Sequence, residues 1–109
     1  MIGERLVKFS LIKDIAELIK KKFNAKKVIL FGSYAYGIPK SESDIDLLIV
    51  MDTTLKSYKQ ATLIRLVLDE TFGISFPIDI VVRTPDEIEE RLRKNDFFIE
   101  KVLRDGIPL

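Results

Sequence analysis

The chain is predicted to fold as an α/β (α+β) layer structure in which helices cover a small three-stranded sheet. Three observations predict it. The 109 residues, 47% hydrophobic and 32% charged, suffice for one core, so 1–109 is expected to be a single domain. Several segments repeat their apolar residues at helical spacing. Between them lie three short apolar runs of strand length. No repeat, low-complexity tract or Pro/Gly/Ser linker interrupts the chain.

Phe9, Ile12, Ile15, Ala16, Ile19 and Phe23 recur on one helical face, with Lys13, Glu17, Lys20 and Lys21 on the other, giving a helix to about Asn24. Lys27 to Phe31 reads as a buried strand ending at Gly32, and Asp44 to Val50 as a second strand. From about Leu55 to Phe72 runs a helix whose apolar surface, with Leu63, Ile64, Leu66, Val67 and Leu68, is broad enough to be deeply buried or partly an interface. Pro77 to Val82 is the third strand. Thr84, Pro85 and Glu87 make a capping box with proline at the first helical position, starting a helix through about Arg93. Asn95 is expected to cap a last helix carrying Phe98, Ile99, Val102 and Leu103, stopped by Gly106 and Pro108.

Composition narrows the chemistry. Without cysteine or histidine, disulfide scaffolds, thiolate or imidazole metal sites and imidazole catalysis are excluded, so carboxylates, hydroxyls and Lys/Arg must carry it. Eighteen Lys and Arg nearly balance seventeen Asp and Glu, which predicts no bulk attraction to nucleic acid or anionic membrane. The start from Met1 to Leu6 lacks the pattern of a leader peptide, and no apolar run approaches membrane-spanning length, so a cytoplasmic location is expected. Many Lys and Glu with few Asn and Gln fit a thermophile's usage.

One segment stands out, from Gly32-Ser33 through Tyr36 to Asp44-Ile45-Asp46. Gly32 follows a strand directly and, lacking a Cβ, lets backbone N–H groups approach a phosphate oxygen; Ser33 adds a hydroxyl donor. A helical turn from Ser33 to Tyr36 would add free amides. A Gly-Ser pair alone is more often an ordinary strand-to-loop turn. Asp44 and Asp46 project from one face of a strand, where two carboxylates can share magnesium, although a lone Asp-x-Asp is also an ordinary solvated strand entrance. Asp79 lies between Ile78 and Ile80 in a run that reads as buried, where a carboxylate needs a cation or hydrogen-bond partner. If the third strand neighbours the second, Asp44, Asp46 and Asp79 converge beside the turn as a two-metal arrangement for phosphoryl or nucleotidyl transfer. Asp44 and Asp46 would bridge the metals and a triphosphate, and Asp79 would ligate the metal nearer the acceptor and help deprotonate its hydroxyl.

Rival motifs fail on the same residues. Gly32 and Gly37 have P-loop spacing, but Ile38-Pro39 stands where Lys and Ser/Thr are required. There is no closely spaced glycine triplet of the dinucleotide-binding type, and Asp44-Ile45-Asp46 lacks the third acidic position and central glycine of a calcium loop.

The pattern Gly32-Ser33, ten residues, Asp44-Ile45-Asp46, then Asp79 resembles the minimal nucleotidyltransferases of the DNA polymerase β-like superfamily, and the likeness extends over essentially the whole chain. The resemblance implies a mixed, palm-like sheet and magnesium-dependent transfer of a nucleoside monophosphate, usually AMP from ATP, to a hydroxyl, with two Mg2+ ions expected. Similar proteins are often antitoxins that silence a helical HEPN ribonuclease by binding it or by adenylylating a tyrosine. One departure concerns activity: the group commonly has Ala-Arg-Gly after the turn, whereas this chain has Ala35-Tyr36-Gly37. Tyr36 either stacks on a base or partner or packs beside the turn, and Lys40 is either a substitute charge or a solvated loop lysine.

A chain of this size would leave the cleft open, so a partner surface is expected to complete it, through the helix from Leu55 to Phe72 or the Phe97-Phe98 pair if these are not ordinary core. The cluster Lys20, Lys21, Lys22, Lys26 and Lys27 is read as a solvated helix end, and no direct nucleic-acid binding is expected. Two functions follow: a protein adenylyltransferase, or a catalytically weak or silent module that neutralises a partner by binding alone.

Overall fold

The computed structural model describes residues 6–40 and 43–109. The leader reading of Met1 to Arg5, and Ser41-Glu42 within the connecting segment, lie outside the described residues. In chain order the elements are α1 (Phe9–Phe23), β1 (Lys27–Phe31), α2 (Ser33–Tyr36), β2 (Ile45–Val50), α3 (Ser57–Phe72), β3 (Ile78–Arg83), α4 (Pro85–Arg93), α5 (Phe97–Asp105) and β4 (Ile107–Pro108).

The sheet runs β3-β2-β1-β4. β1 pairs antiparallel with β2 and with β4, while β2 and β3 are parallel, as a crossover through α3 allows. The sheet is therefore mixed, as the resemblance implies, but it has four strands where three were expected. The strand missed is β4: two residues are too few to show a period, and Pro108 reads as a helix stop. At a sheet edge proline is tolerated because it need not donate inward. Gly106 makes the approach possible, since a β carbon there would stand 2.6 Å from Ile29 Cγ2 and 3.0 Å from the Leu30 carbonyl.

Alternation along the strands divides the core in two. Val28, Leu30, Ile45, Leu47 and Ile49 face α1 and α3, packing with Ile12, Ile15, Ile19, Ile64 and Leu68. Burying each such side chain contributes about 1.5–3 kcal/mol. On the other face Ile29, Phe31, Leu48 and Val50 meet Val102 of α5, with Val81, Ile88 and Leu103 at the margin. On this second face, at the strand ends near Gly32, Asp46 is only half-buried and Asp79 is exposed.

Several local expectations shift. Phe9 stays half-exposed rather than joining the stripe of α1. The turn in which the Leu55 N–H donates to Thr53 Oγ1 delays α3 to Ser57. The broad apolar surface of α3 is only partly core: Ile64 and Leu68 are fully buried, but Leu63 and Leu66 remain exposed. The capping box of Thr84 and Glu87 forms as expected. Asn95 does not cap α5; with φ 56° it takes the left-handed turn after α4, and Asp96 caps instead by accepting from the Ile99 N–H at 3.1 Å. Among the described residues no helix is long and apolar enough to cross a membrane.

Candidate active site

Three elements meet at one end of the second sheet face. β1 finishes at Phe31, whose register partner on β2 is Asp46. On its other side Asp46 faces Asp79 of β3, in register. Residues so paired share a face of the sheet with backbones about 4.8 Å apart, so their carboxylates are neighbours. Asp44, two residues before Asp46, is exposed at the entrance to β2.

The expectation that Asp79 is an interior carboxylate is corrected. β3 is an edge strand, and Asp79, near its start, is exposed. Asp46, central in the sheet, is the half-buried member. Its pKa is raised to about 6, first by burial and then by the negative charges of Asp79 and Asp44.

Gly32 has φ 75° and ψ −157°, a conformation natural only to glycine. A β carbon there would collide with Asp46 Oδ2 and stand 2.9 Å from its Cγ, so the absence of a side chain leaves room for the carboxylate. The chain then turns into α2, where the Ala35 and Tyr36 N–H groups both donate to the Gly32 carbonyl at 2.9 Å. The amides of Ser33 and Tyr34 precede these first helical bonds, where an α-helix leaves N–H groups free for an anion. The Tyr34 hydroxyl accepts from the Val7 N–H at 3.2 Å and ties the turn to the segment before α1. A reciprocal pair of bonds between Lys40 and Ser43, of 2.8 and 3.0 Å, closes the connecting segment just before Asp44.

Oxygen donors of this kind suit a hard divalent cation, and a cation would relieve the charge crowding that raises Asp46. Asp46 and Asp79 are the pair best placed to hold one, with Asp44 beside them. Among the described residues no three carboxylates close around a single point.

A family model for the nucleotidyltransferase domain matches residues 12–108, a span that contains most of α1, the Gly32 turn and all three candidate aspartates. The chain belongs to this nucleotidyltransferase family. It is 35% identical over 99 residues to a provisionally named protein adenylyltransferase of Methanocaldococcus jannaschii, MJ0604, covering 87% of this chain and 90% of that one. Two more proteins of that organism with the same provisional name match shorter stretches: MJ0141 is 51% identical over 39 residues, covering 36% of this chain and 37% of its own, and MJ1379 is 38% identical over 42, covering 38% and 42%. The mixed sheet with its flanking helices fits the polymerase β-like fold, and the substrate is a nucleotide.

In this nucleotidyltransferase the predicted residues Gly32, Ser33, Asp44, Asp46 and Asp79 come together at one sheet end, while Lys40 stays exposed on the connecting segment. Tyr36 is partly exposed on the far side of α2 from Tyr34. Its phenol is raised from the ordinary value, first by burial, against the lowering effect of a Gly32 backbone contact, with Asp105 and Asp46 adding to the rise. Sequence reasoning missed what α5 brings here. Phe98 meets Phe31 edge-on, ring centroids 5.3 Å apart, and Lys101 Nζ lies 4.7 Å from the centre of the Tyr36 ring. No sequence signal separates Lys101 from a solvated helix lysine.

Proposed function

We propose that this enzyme transfers a nucleoside monophosphate, AMP from ATP, to a hydroxyl of a partner protein, using Asp44, Asp46 and Asp79 with Mg2+. The observation that carries the reading is the in-register pairing of half-buried Asp46 with exposed Asp79, directly beside the Gly32-Ser33 turn. The names of the three methanogen relatives support adenylylation of protein.

In this reading the Ser33 hydroxyl and the amides that open α2 would bind the phosphates, and Asp44, Asp46 and Asp79 would hold two Mg2+ ions. Bound Mg2+ supplies charge neutralisation and makes the acceptor hydroxyl more acidic. Asp79, at the open edge, meets the incoming hydroxyl. A bond forms from that oxygen to the α-phosphorus, the bond to the bridging oxygen of the β-phosphate breaks, pyrophosphate leaves, and the hydroxyl proton passes to Asp79 and on to solvent. Alignment of nucleophile and phosphate supplies the remainder of the acceleration.

The acceptor in this reading is a tyrosine of a HEPN-type toxin, and the enzyme acts as its antitoxin in the cytoplasm. Leu63, Leu66 and Phe97 lie exposed for a partner to cover, with Phe97 81% exposed. The test is magnesium-dependent transfer of label from α-labelled ATP to a co-expressed HEPN partner, expected in wild type and abolished by Asp44→Asn or Asp46→Asn. If no label moves and these variants protect cells from the toxin as well as wild type does, transfer to that partner is refuted and neutralisation by binding alone takes its place.

A further inference from the structure

The site as described gathers three carboxylates against a polyanionic substrate, and the turn from Gly32 to Gly37 contains no Lys or Arg. α4 and α5 carry five cationic side chains between Pro85 and Asp105 if Lys94 at the end of α4 is counted. Four of them have carboxylate partners: Arg91 with Asp96, Arg93 with Glu89, Lys94 with Glu90, and Arg104 with Asp105. Lys101 is the fifth, and among the described residues it joins no ion pair. Asp105, one turn along α5 and close enough to feel the charge of Lys101, is gripped by both Nε and Nη2 of Arg104, at 3.1 and 3.2 Å.

Position makes this lysine significant. α5 is anchored by buried Ile99 and Val102, by the edge-on contact of Phe98 with Phe31, and by the close approach that Gly106 permits, so the base of Lys101 is held beside the end of β1. Its ammonium rests over Tyr36, on the helical turn that opens at Gly32-Ser33. That is the β1 side of Asp46, opposite to the β3 side on which Asp79 stands. A cation there serves the phosphate turn rather than the acceptor. An ammonium over an aromatic face keeps the N–H donors on its outward side available, and Lys engages phosphate as a point charge.

We propose that Lys101 is a triphosphate-binding residue of this site and that Tyr36 is the positioning residue that holds its ammonium beside the Gly32-Ser33 turn. The inference rests on the reading that the site takes a nucleoside triphosphate. It assigns α5, outside the glycine and aspartate motif, a direct part in substrate binding.

The test is equilibrium binding of a non-hydrolysable ATP analogue with Mg2+, alongside transfer kinetics, in wild type, Lys101→Ala, Lys101→Gln, Lys101→Arg, Tyr36→Phe and Tyr36→Ala. Lys101→Ala and Lys101→Gln are expected to weaken binding roughly tenfold and to flatten its salt dependence, raising KM more than they lower kcat. Lys101→Arg and Tyr36→Phe, which keep the charge and the ring, are expected to stay within about threefold of wild type, whereas Tyr36→Ala falls toward Lys101→Ala. Unchanged thermal unfolding of the Lys101 variants would separate these effects from a structural role. Binding by both neutral Lys101 variants within about twofold of wild type overturns the proposal and leaves nucleotidyl transfer standing. Failure of wild type itself to bind the analogue overturns both.

Discussion

The carboxylate of Asp46 occupies the space that a β carbon on Gly32 would need. The turn and the aspartate are thus one fitted unit: Gly32 is required both by its φ of 75° and by the side chain packed against it.

Gly32→Ala should therefore fail twice. The strained backbone costs about 1–3 kcal/mol, read as a lowered denaturant midpoint with unchanged slope. Displacing Asp46 from its position should also lower transfer by about 100-fold, since small misplacements of reacting groups are that costly. A variant of wild-type stability and activity would show that the turn and the carboxylate are independent.

Asp46 predicts a pH dependence of stability. Its pKa is raised from 3.8 to about 6, so the folded state favours the protonated form. Between those values the folded chain binds more protons than the unfolded one, and this group's contribution to stability declines as pH rises through the window. Because the side chain is only half-buried, solvent screening reduces the effect to about 1 kcal/mol. Metal-free Asp46→Asn should accordingly unfold at higher temperature than wild type above pH 6 and show little difference near pH 4. Mg2+ should raise the wild-type midpoint above pH 6 and leave that of Asp46→Asn nearly unmoved. Parallel melting curves for the two proteins across this range would contradict the raised pKa.

For Asp79, exposure separates function from stability. Asp79→Asn should change unfolding free energy by less than about 0.5 kcal/mol, as surface substitutions do. Transfer should nevertheless fall by about 100-fold or more if Asp79 receives the acceptor proton. Transfer at the wild-type rate would remove Asp79 from the reaction.

Periodicity and local turn chemistry in the sequence determined the helices and the three longer strands, because each depends on neighbours within a few residues. The stripe from Ile12 to Ile19, the alternation through β2 and the capping box at Thr84 were legible for that reason. The spacing of Gly32-Ser33 and Asp44/Asp46 identified the candidate site, since turn and carboxylates are linked by a single short connection. Tertiary structure decided what depends on pairing between distant residues. Only strand order makes Asp79 the register partner of Asp46, and only the open edge makes Asp79 exposed while central Asp46 becomes the desolvated carboxylate. β4 was hidden because two residues carry no period. Lys101 was hidden because a charge on a helix face looks the same in sequence whether it meets water or the Tyr36 ring. Burial and electrostatic coupling are sums over neighbours in space, and for Asp46, Asp79 and Lys101 those neighbours are supplied by other elements of the fold.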